Sequence, residues 1–311
     1  MNQLKFPEFE GPAQFDALHD EPACWQPLLA ELARGLGLGG AVQPLGEGTV
    51  LVASVGEQQV LKLYPPFLRD HWAFERGLLQ RLQGRLSVPT PELQASGEQQ
   101  GWAWTVMSRL PGQPLSQRWA QLDEARRGAL LRQIGALAAQ VHALPVGDQV
   151  QLAPRWEDFI ARQRAGCLAR QRRTGLPEHL LAEVEACIAG PLPAGPDVLL
   201  TGEYTPMNLL VDAEGEQLTG MFDFGDGLIG PAAYDWGGPL CFLAAGHAER
   251  VAAFFAGYGQ AFDEAARERQ LRLLLLHRYS HLPIQLASCP GWAEARSFAE
   301  LAQRIWPLAN D

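Results

Sequence analysis

The sequence predicts an α+β fold of two lobes, a small antiparallel β-sheet lobe followed by a larger, mostly helical lobe. At 311 residues the chain exceeds the length at which a single hydrophobic core usually stops growing. Apolar strand patterns and glycine-containing turns dominate residues 41–107, whereas long helical periodicities follow the linker. These observations place the first lobe at 1–107, the linker at 108–115 and the second lobe at 116–311.

The first lobe is predicted to contain a sheet with one inserted helix, after an earlier helix around Trp25. Short apolar runs between turn residues indicate strands, and three follow one another, at 41–45, 50–55 and 59–64. An amphipathic pattern then predicts a helix from Arg69 to Leu82, and a strand at Trp102–Met107 completes the sheet. Short connections of this kind favour antiparallel pairing.

The second lobe is predicted to be mainly helical. Apolar residues at i, i+3 and i+4 spacing predict helices at 124–144, 156–173 and 177–188, and the pattern returns at 238–306. Between these helices, residues 199–223 contain two short apolar strands, each with polar side chains at one end. Those strand ends are therefore the first place to look for chemistry.

Composition narrows the class of partner. The net charge of −10 argues against nucleic acid, and is compatible with a cationic small molecule or with solubility alone. The N-terminal sequence lacks the features of a secretory signal, and no run of about 18 apolar residues is present to span a membrane. The five scattered cysteines have no C-x-x-C spacing and are expected to be reduced, buried thiols. A cytoplasmic protein without a membrane partner is expected, and no particular oligomeric state is indicated.

The segment from Leu200 to Asp226 is the most informative part of the chain. Glu203 and Asn208 lie five residues apart, and Asp223 follows Asn208 by fifteen. Phosphoryl-transfer sites use this layout, in which a carboxylate handles the acceptor hydroxyl while an Asn and an Asp hold Mg²⁺ on the nucleotide. Glu203 is therefore predicted to be the catalytic carboxylate, and Asn208 and Asp223 the metal ligands.

Lys62 and Glu75 are predicted to form an ion pair that serves a nucleotide. Lys62 lies in the third strand, and Glu75 follows thirteen residues later in the next helix. A strand lysine is either an exposed residue or a cation directed at an anion. Kinases use the second arrangement, in which a helix glutamate holds the lysine against the α- and β-phosphates.

Two further segments are candidates for nucleotide binding. Gly46 and Gly48 lie between the first two strands, where glycine lets the backbone approach a phosphate, although two glycines also suit a plain turn. Met107 and Arg109 lie where the lobes join, and their backbone groups are candidates to bind an adenine. A plain linker is the alternative for this second segment.

Four carboxylates are candidates to bind an amine on the acceptor: Asp226, Asp235, Glu157 and Asp158. Asp235 has two other possible roles, as a helix N-cap or as a residue that positions a loop, and a structural role is favoured. His142, at the end of a predicted helix, is also expected to be structural.

The order of these motifs resembles that of the aminoglycoside phosphotransferase and choline kinase group. The resemblance covers residues 40–245 and is most specific at 199–239. It implies a bilobal, protein-kinase-like fold and an enzyme that uses ATP and Mg²⁺ to phosphorylate a hydroxyl of a small, amine-bearing molecule. It also places Asn208 and Asp223 on metal-binding positions, and Lys62 and Glu75 on the phosphate-binding pair. Asp235 falls on the family's acidic residue after the second strand.

Two positions depart from the family pattern. Thr201 stands where the family usually has a histidine that braces the loop, and a threonine hydroxyl retains the ability to hydrogen-bond there. Glu203 stands where the family has its catalytic aspartate, and one extra methylene displaces the carboxylate by about 1 Å. Glutamate retains the charge and the ability to accept a proton. Two alternatives to a small-molecule kinase follow, a nucleotide-binding pseudokinase and an enzyme that transfers AMP.

Overall fold

The computed structural model describes residues 5–9, 11–45, 48–202 and 204–308. The chain divides into two compact units. The first comprises the residues up to Arg85 together with Pro89–Pro111, and the second comprises Leu86–Val88 together with the chain from Gly112 onward. Within the described part of the chain, no helix combines the length and the apolar character needed to cross a membrane.

The first unit is built on a five-stranded antiparallel sheet in the order β1-β2-β3-β5-β4. Its strands are β1 (Val42–Pro44), β2 (Leu51–Val55), β3 (Gln59–Tyr64), β4 (Leu93–Gln99) and β5 (Trp102–Ser108). Its helices are α1 (Pro12–His19), α2 (Pro22–Gly35) and α3 (Arg69–Leu82). The predicted antiparallel sheet and its inserted helix are confirmed, and β3 lies at the centre of the sheet.

Alternation along β3 determines where its side chains point. Leu61 and Leu63 are buried in a hydrophobic core that also contains Trp25 of α2. Tyr64 belongs to a second core, on the opposite face, which contains Trp72 of α3. Because successive side chains on a strand point to opposite faces, Lys62 shares the face of Tyr64 and is directed towards α3.

The described part of the second unit is mainly helical, with five short strands in two small sheets. One sheet pairs β7 (Asp197–Leu200) with β10 (Leu228–Pro231), and the other has the order β6 (Gln113–Pro114), β8 (Leu209–Val211), β9 (Leu218–Met221). The helices are α4 (Leu115–Arg118), α5 (Glu124–His142), α6 (Trp156–Arg173), α7 (Glu178–Leu181), α8 (Val184–Ala189), α9 (Gly237–Phe242), α10 (Ala248–Tyr258), α11 (Glu264–Leu276), α12 (Leu282–Gln285) and α13 (Phe298–Ile305).

One predicted helix, at 177–188, is wrong as a single element. The structure has α7 and α8 there instead, with Glu183 donating its N–H to the Leu180 carbonyl in a tighter turn. Leu180 and Val184 are both buried, but four residues apart they would share one face of a straight helix as well, so the burial pattern did not reveal the break. The predicted helix at 156–173 is confirmed from end to end.

Close packing places the C-terminal end of α10 against the middle of α5. A Cβ on Gly135 of α5 would lie 2.1 Å from the carbonyl oxygen of Phe254, and one on Gly257 of α10 would lie 2.0 Å from that of Arg132. Only glycine permits backbones to approach this closely. The contact brings His142, the last residue of α5, next to Tyr258, the last residue of α10.

All five cysteines are free thiols, as predicted, but the expectation that all are buried is wrong. Cys167, Cys241 and Cys289 are buried, whereas Cys24 is exposed and Cys187 is partly buried.

Candidate functional site

In the first unit, Lys62 and Glu75 form a buried ion pair. Lys62 Nζ lies 2.7 Å from Glu75 Oε1, and the two residues are 5% and 1% exposed. The alternative of an exposed lysine is therefore wrong. A buried charge requires a partner of opposite sign and further hydrogen bonds, and α3 supplies the carboxylate directly below the central strand.

Tyr64 is a third member of this group that the sequence analysis missed. Its hydroxyl donates to Glu75 Oε2, so that the carboxylate is bound through both of its oxygens. The signal was present in the sequence, because Tyr64 lies two residues after Lys62 and a strand places such residues on one face. The lysine is therefore aligned by a carboxylate that is itself fixed at two points.

The other nucleotide candidates of the first unit are spread along the sheet. Gly48 has a φ of +130°, a region that favours glycine, and it is exposed. Gly46 lies outside the described residues. The side chain of Met107 is buried in β5, whereas Arg109 is exposed and its N–H donates to the Gln58 carbonyl at 2.7 Å.

In the second unit, Asn208 and Asp223 lie at the paired ends of two strands. Asn208 directly precedes β8, and Asp223 lies two residues beyond β9. The register pairs Leu209 with Met221, and the Phe222 N–H donates to the Asn208 carbonyl at 3.1 Å, which extends the pairing by one step. Two residues fifteen positions apart are thereby brought to one end of a hairpin.

Asp223 has an unusual backbone conformation. Its φ is +69°, and the only other non-glycine residue with positive φ in the described chain is Gln100. Aspartate and asparagine tolerate this left-handed region better than most residues, and such outliers concentrate at functional sites. The Asp223 carboxylate and the Asn208 amide are oxygen donors of the kind that Mg²⁺ prefers. These residues would therefore suit a Mg²⁺ ion.

The turn at Thr201 and Gly202, just before the predicted catalytic residue, is held by the buried carboxylate of Asp235. The N–H groups of Thr201 and Gly202 donate to Asp235 Oδ2 and Oδ1, each at 2.9 Å. The Thr201 hydroxyl lies 3.3 Å from Oδ2, which agrees with the hydrogen bond expected of a threonine at this position. Asp235 is not a helix N-cap, since it lies within a 3₁₀ turn at 232–236 and its bonds go to the loop.

His142 extends this network to the ends of α5 and α10. Its Nε2 lies 3.1 Å from Asp235 Oδ2, and its Nδ1 lies 2.9 Å from the Tyr258 hydroxyl. Its side chain and that of Asp235 are 5% and 0% exposed. These contacts agree with the structural role expected of His142, and they favour loop positioning over acceptor binding for Asp235.

Glu203 lies outside the described residues, but both of its neighbours are buried and closely packed. Gly202 has a φ of +84°, and a Cβ there would lie 2.5 Å from the Asp226 carbonyl oxygen. A Cβ on Gly238 would lie 3.1 Å from the backbone of Tyr204. The loop that bears Glu203 is thus in contact with the loop that follows Asp223.

The four candidate acceptor carboxylates do not form one acidic cluster. Asp226 Oδ1 accepts hydrogen bonds from Arg278 Nη1 at 2.6 Å and from the Tyr279 hydroxyl at 2.8 Å, two partners that the sequence analysis missed. Glu157 and Asp158 are exposed in the first turn of α6, where Glu157 lies 3.7 Å from Arg155. Asp226 is therefore largely neutralised, and Glu157 and Asp158 are the solvent-facing carboxylates of the set.

Comparison with known families identifies the chain as a phosphotransferase. Residues 47–274 match the family model described as the phosphotransferase enzyme family, and the chain belongs to this family. The resemblance drawn from the motifs is thereby confirmed.

Solved structures of aminoglycoside phosphotransferases share the fold. The GDP complex of aminoglycoside 2'-phosphotransferase-IIIa matches with a TM-score of 0.68 at 19% identity, over 89% of this chain and 97% of that one. The streptomycin–ATP ternary complex of APH(2")-IIa gives 0.62 at 19% identity, over 87% and 97%. APH(3'')-Id from Streptomyces rimosus, with ADP and streptomycin, gives 0.59 at 20% identity, over 80% and 98%. The predicted α+β, protein-kinase-like fold is confirmed.

Proposed function

We propose that this phosphotransferase transfers the γ-phosphoryl group of ATP to a hydroxyl of a small molecule, with Mg²⁺ as its metal. The observation that carries the proposal is the hairpin end that joins Asn208 to the loop of Asp223 through the Phe222–Asn208 hydrogen bond. An amide and a left-handed aspartate at one strand end form an oxygen-ligand site for a divalent cation.

Each side chain has a defined task in this proposal. Lys62, aligned by Glu75, binds the α- and β-phosphates of the nucleotide, and Asn208 and Asp223 bind the metal. When bound, Mg²⁺ neutralises the charge that develops on the phosphoryl oxygens. Glu203 orients the acceptor hydroxyl and accepts its proton. Gly46, Gly48, Met107 and Arg109 remain candidates to contact phosphate or base.

The acceptor is proposed to carry an amine, as an amino sugar, an amino alcohol or an amino acid does. Related folds were solved with streptomycin and gentamicin, which motivates this choice. Glu157 and Asp158 are the better placed partners for an amine, because their side chains face solvent. The adjacent Trp156 packs against Tyr234, which precedes Asp235 directly in the chain, at 5.5 Å between ring centroids. Asp226 would contact the acceptor as part of its pair with Arg278.

A comparison of four proteins tests this function. The wild type, Glu203→Asp, Asp223→Asn and the exposed-site control Asp16→Asn are incubated with ATP, Mg²⁺ and a panel of amino-hydroxyl compounds. We expect phosphorylated product and ADP from the wild type and the control. Asp223→Asn should lose activity by about 10²–10³-fold, since it removes a metal-binding charge yet tolerates the left-handed backbone. Product analysis by mass spectrometry and ³¹P NMR separates phosphoryl transfer from AMP transfer.

Three outcomes would contradict or amend the proposal. Nucleotide binding without turnover in every protein would support a pseudokinase, and an AMP-bearing product would support an adenylyl transferase. Turnover that rises in Glu203→Asp would identify a kinase slowed by the longer side chain. Equal activity in the wild type and Asp223→Asn would exclude Asp223 as a metal ligand.

A further inference from the structure

Three consecutive residues after α11, His277 to Tyr279, contact both loops of the candidate site in the second unit. His277 hydrogen-bonds to the backbone of Gly202. Arg278 and Tyr279 both donate to Asp226 Oδ1, at 2.6 and 2.8 Å. We name His277–Tyr279 the 277–279 brace. It reaches the turn before Glu203 and the residue three positions after Asp223.

The orientation of the His277 ring follows from its neighbours. The ring stacks on Tyr234 with 4.7 Å between centroids and 19° between planes. The Tyr279 N–H donates to Nδ1 at 3.2 Å, so Nδ1 is the acceptor and Nε2 carries the proton. Nε2–H is then the group that donates to the Gly202 carbonyl. Burial lowers the pKa of His277 to about 4, which keeps the ring neutral near pH 7.

The two loops that the brace contacts also touch each other. A Cβ on Gly202 would lie 2.5 Å from the Asp226 carbonyl oxygen and 2.8 Å from its carbonyl carbon. At such a junction, a shift of either loop changes the distance between Glu203 and Asp223. Asp235 accepts hydrogen bonds from the two N–H groups of the turn. The brace forms further hydrogen bonds, to the carbonyl of Gly202 and to the side chain of Asp226.

We propose that the 277–279 brace is a positioning device that sets the Glu203-bearing loop against the metal-binding loop, with His277 and Tyr279 as its positioning residues. Its kinetic consequence rests on the proposed function. A misplacement of about 1 Å between reacting groups can cost about 10²-fold in rate. Loss of the brace should therefore lower kcat, whereas ATP binding through Lys62 in the first unit should change little.

Hydrogen exchange at the turn tests the brace without reference to activity. His277→Phe retains an aromatic ring on Tyr234 but removes both ring nitrogens, and His277→Gln retains an N–H donor. His179 is a matched control, because its Nε2 donates to the Ala295 carbonyl at 2.8 Å. We expect exchange in a peptide covering residues 199–205 to rise about tenfold in His277→Phe, less in His277→Gln, and not in His179→Phe.

Ring spectroscopy and kinetics complete the test. Long-range ¹H–¹⁵N spectra of the wild type should show His277 as the Nε2–H tautomer at pH 7. With an acceptor that turns over, kcat should fall about 10-fold or more in His277→Phe and about 3-fold in Tyr279→Phe, should recover in part in His277→Gln, and should stay unchanged in His179→Phe. The affinity for ATP should stay within about threefold of the wild type in all four variants.

The outcomes for the brace and for the proposed function are separable. Exchange that is unchanged in His277→Phe, or raised equally in His179→Phe, would overturn the brace, as would an Nδ1–H tautomer. A wild type without turnover on any acceptor would contradict the proposed function. The hydrogen-exchange comparison would still show whether the brace holds the turn in place.

Discussion

The two units hold their candidate functional groups in different ways. In the first, Lys62 on a central strand is aligned by Glu75 on the next helix, thirteen residues away. In the second, the turn at Thr201 and Gly202 is held by Asp235, which is itself bound by His142, 93 residues away from it in sequence. One site is thus local in sequence, and the other is assembled from distant segments.

The difference arises from the kind of backbone involved. A strand within a sheet already has its backbone hydrogen bonds, so only the side chain of Lys62 needs a partner. A buried loop has unpaired N–H and C=O groups that must be satisfied elsewhere. In the second unit a buried carboxylate satisfies the N–H groups of the turn. We expect the first site to respond to changes of charge, and the second to respond to changes in hydrogen-bonding geometry.

The largest effect is expected at the ion pair, from Lys62→Met. Removing one partner of a buried pair leaves a carboxylate without its cation, so the free energy of unfolding should fall by about 3 kcal/mol or more. In Lys62→Met/Glu75→Gln, the amide still accepts from Tyr64 and most of this loss should be recovered. Urea denaturation measures the stability. ATP binding should stay weak in both variants, and wild-type affinity in the double variant would exclude Lys62 as a phosphate ligand.

A somewhat smaller effect is expected at the turn, from Asp235→Asn. The N–H groups of Thr201 and Gly202 donate to the two oxygens of the Asp235 carboxylate. In asparagine an NH₂ group replaces one of these oxygens, and it cannot accept the hydrogen bond from the N–H that faces it. We expect a loss of about 2–3 kcal/mol in the free energy of unfolding, since these are hydrogen bonds to a charged group. The control is Asp263→Asn at the exposed N-cap of α11, where asparagine caps about as well as aspartate. Equal stability of the two variants would contradict the role of Asp235.

Tyr64→Phe should have a modest effect, and it separates the alignment of Glu75 from the charge of Lys62. The change removes the hydroxyl that donates to Glu75 while the ion pair remains. We expect a stability loss of about 1–2 kcal/mol and weaker ATP binding, measured by titration calorimetry. The same change made in a Glu75→Gln background should cost less, because the neutral amide is a weaker acceptor. A cost that is the same in both backgrounds would show that the tyrosine acts through packing.

The effect expected per pH unit is the smallest of the set, and it concerns the titration of His277. Burial is the main cause that lowers the pKa of His277 from 6.5 to about 4, and the charge of Arg278 lowers it further. The hydrogen bond to Gly202 opposes this shift, as do the charges of Asp226 and Asp235. The unfolded chain therefore takes up a proton between pH 6.5 and 4 that the folded protein resists. Stability is fully present above pH 6.5 and falls as the pH drops towards 4. In His277→Gln the slope over this window should be shallower by up to about 1 kcal/mol per pH unit. Parallel stability–pH curves for the two proteins would contradict the shift.

Helices with a strong apolar periodicity were predictable from the sequence, including the residues at which they begin and end. The helices at Arg69–Leu82 and Trp156–Arg173 match their predicted ends, because their periodicity decides which face is buried. The predicted helix at 177–188 failed, because periodicity does not reveal where a chain must turn. The role of Asp226 was open for a related reason, since its partner Arg278 lies 52 residues away.

The sequence by itself determined the family of this protein, through a lysine and a glutamate followed by an Asn and an Asp in the order and spacing that resemble phosphotransferases. Residue type and spacing along strands and helices carry that information, since short-range geometry repeats in every chain. Only the tertiary structure decided what holds those groups in place. The structure showed that Tyr64 hydrogen-bonds to Glu75 of the ion pair and that Asp235 binds the turn at Thr201 and Gly202. It also showed that residues of the 277–279 brace contact both loops of the second unit. Hydrogen bonds between distant segments depend on how the segments pack, and no local pattern encodes that packing.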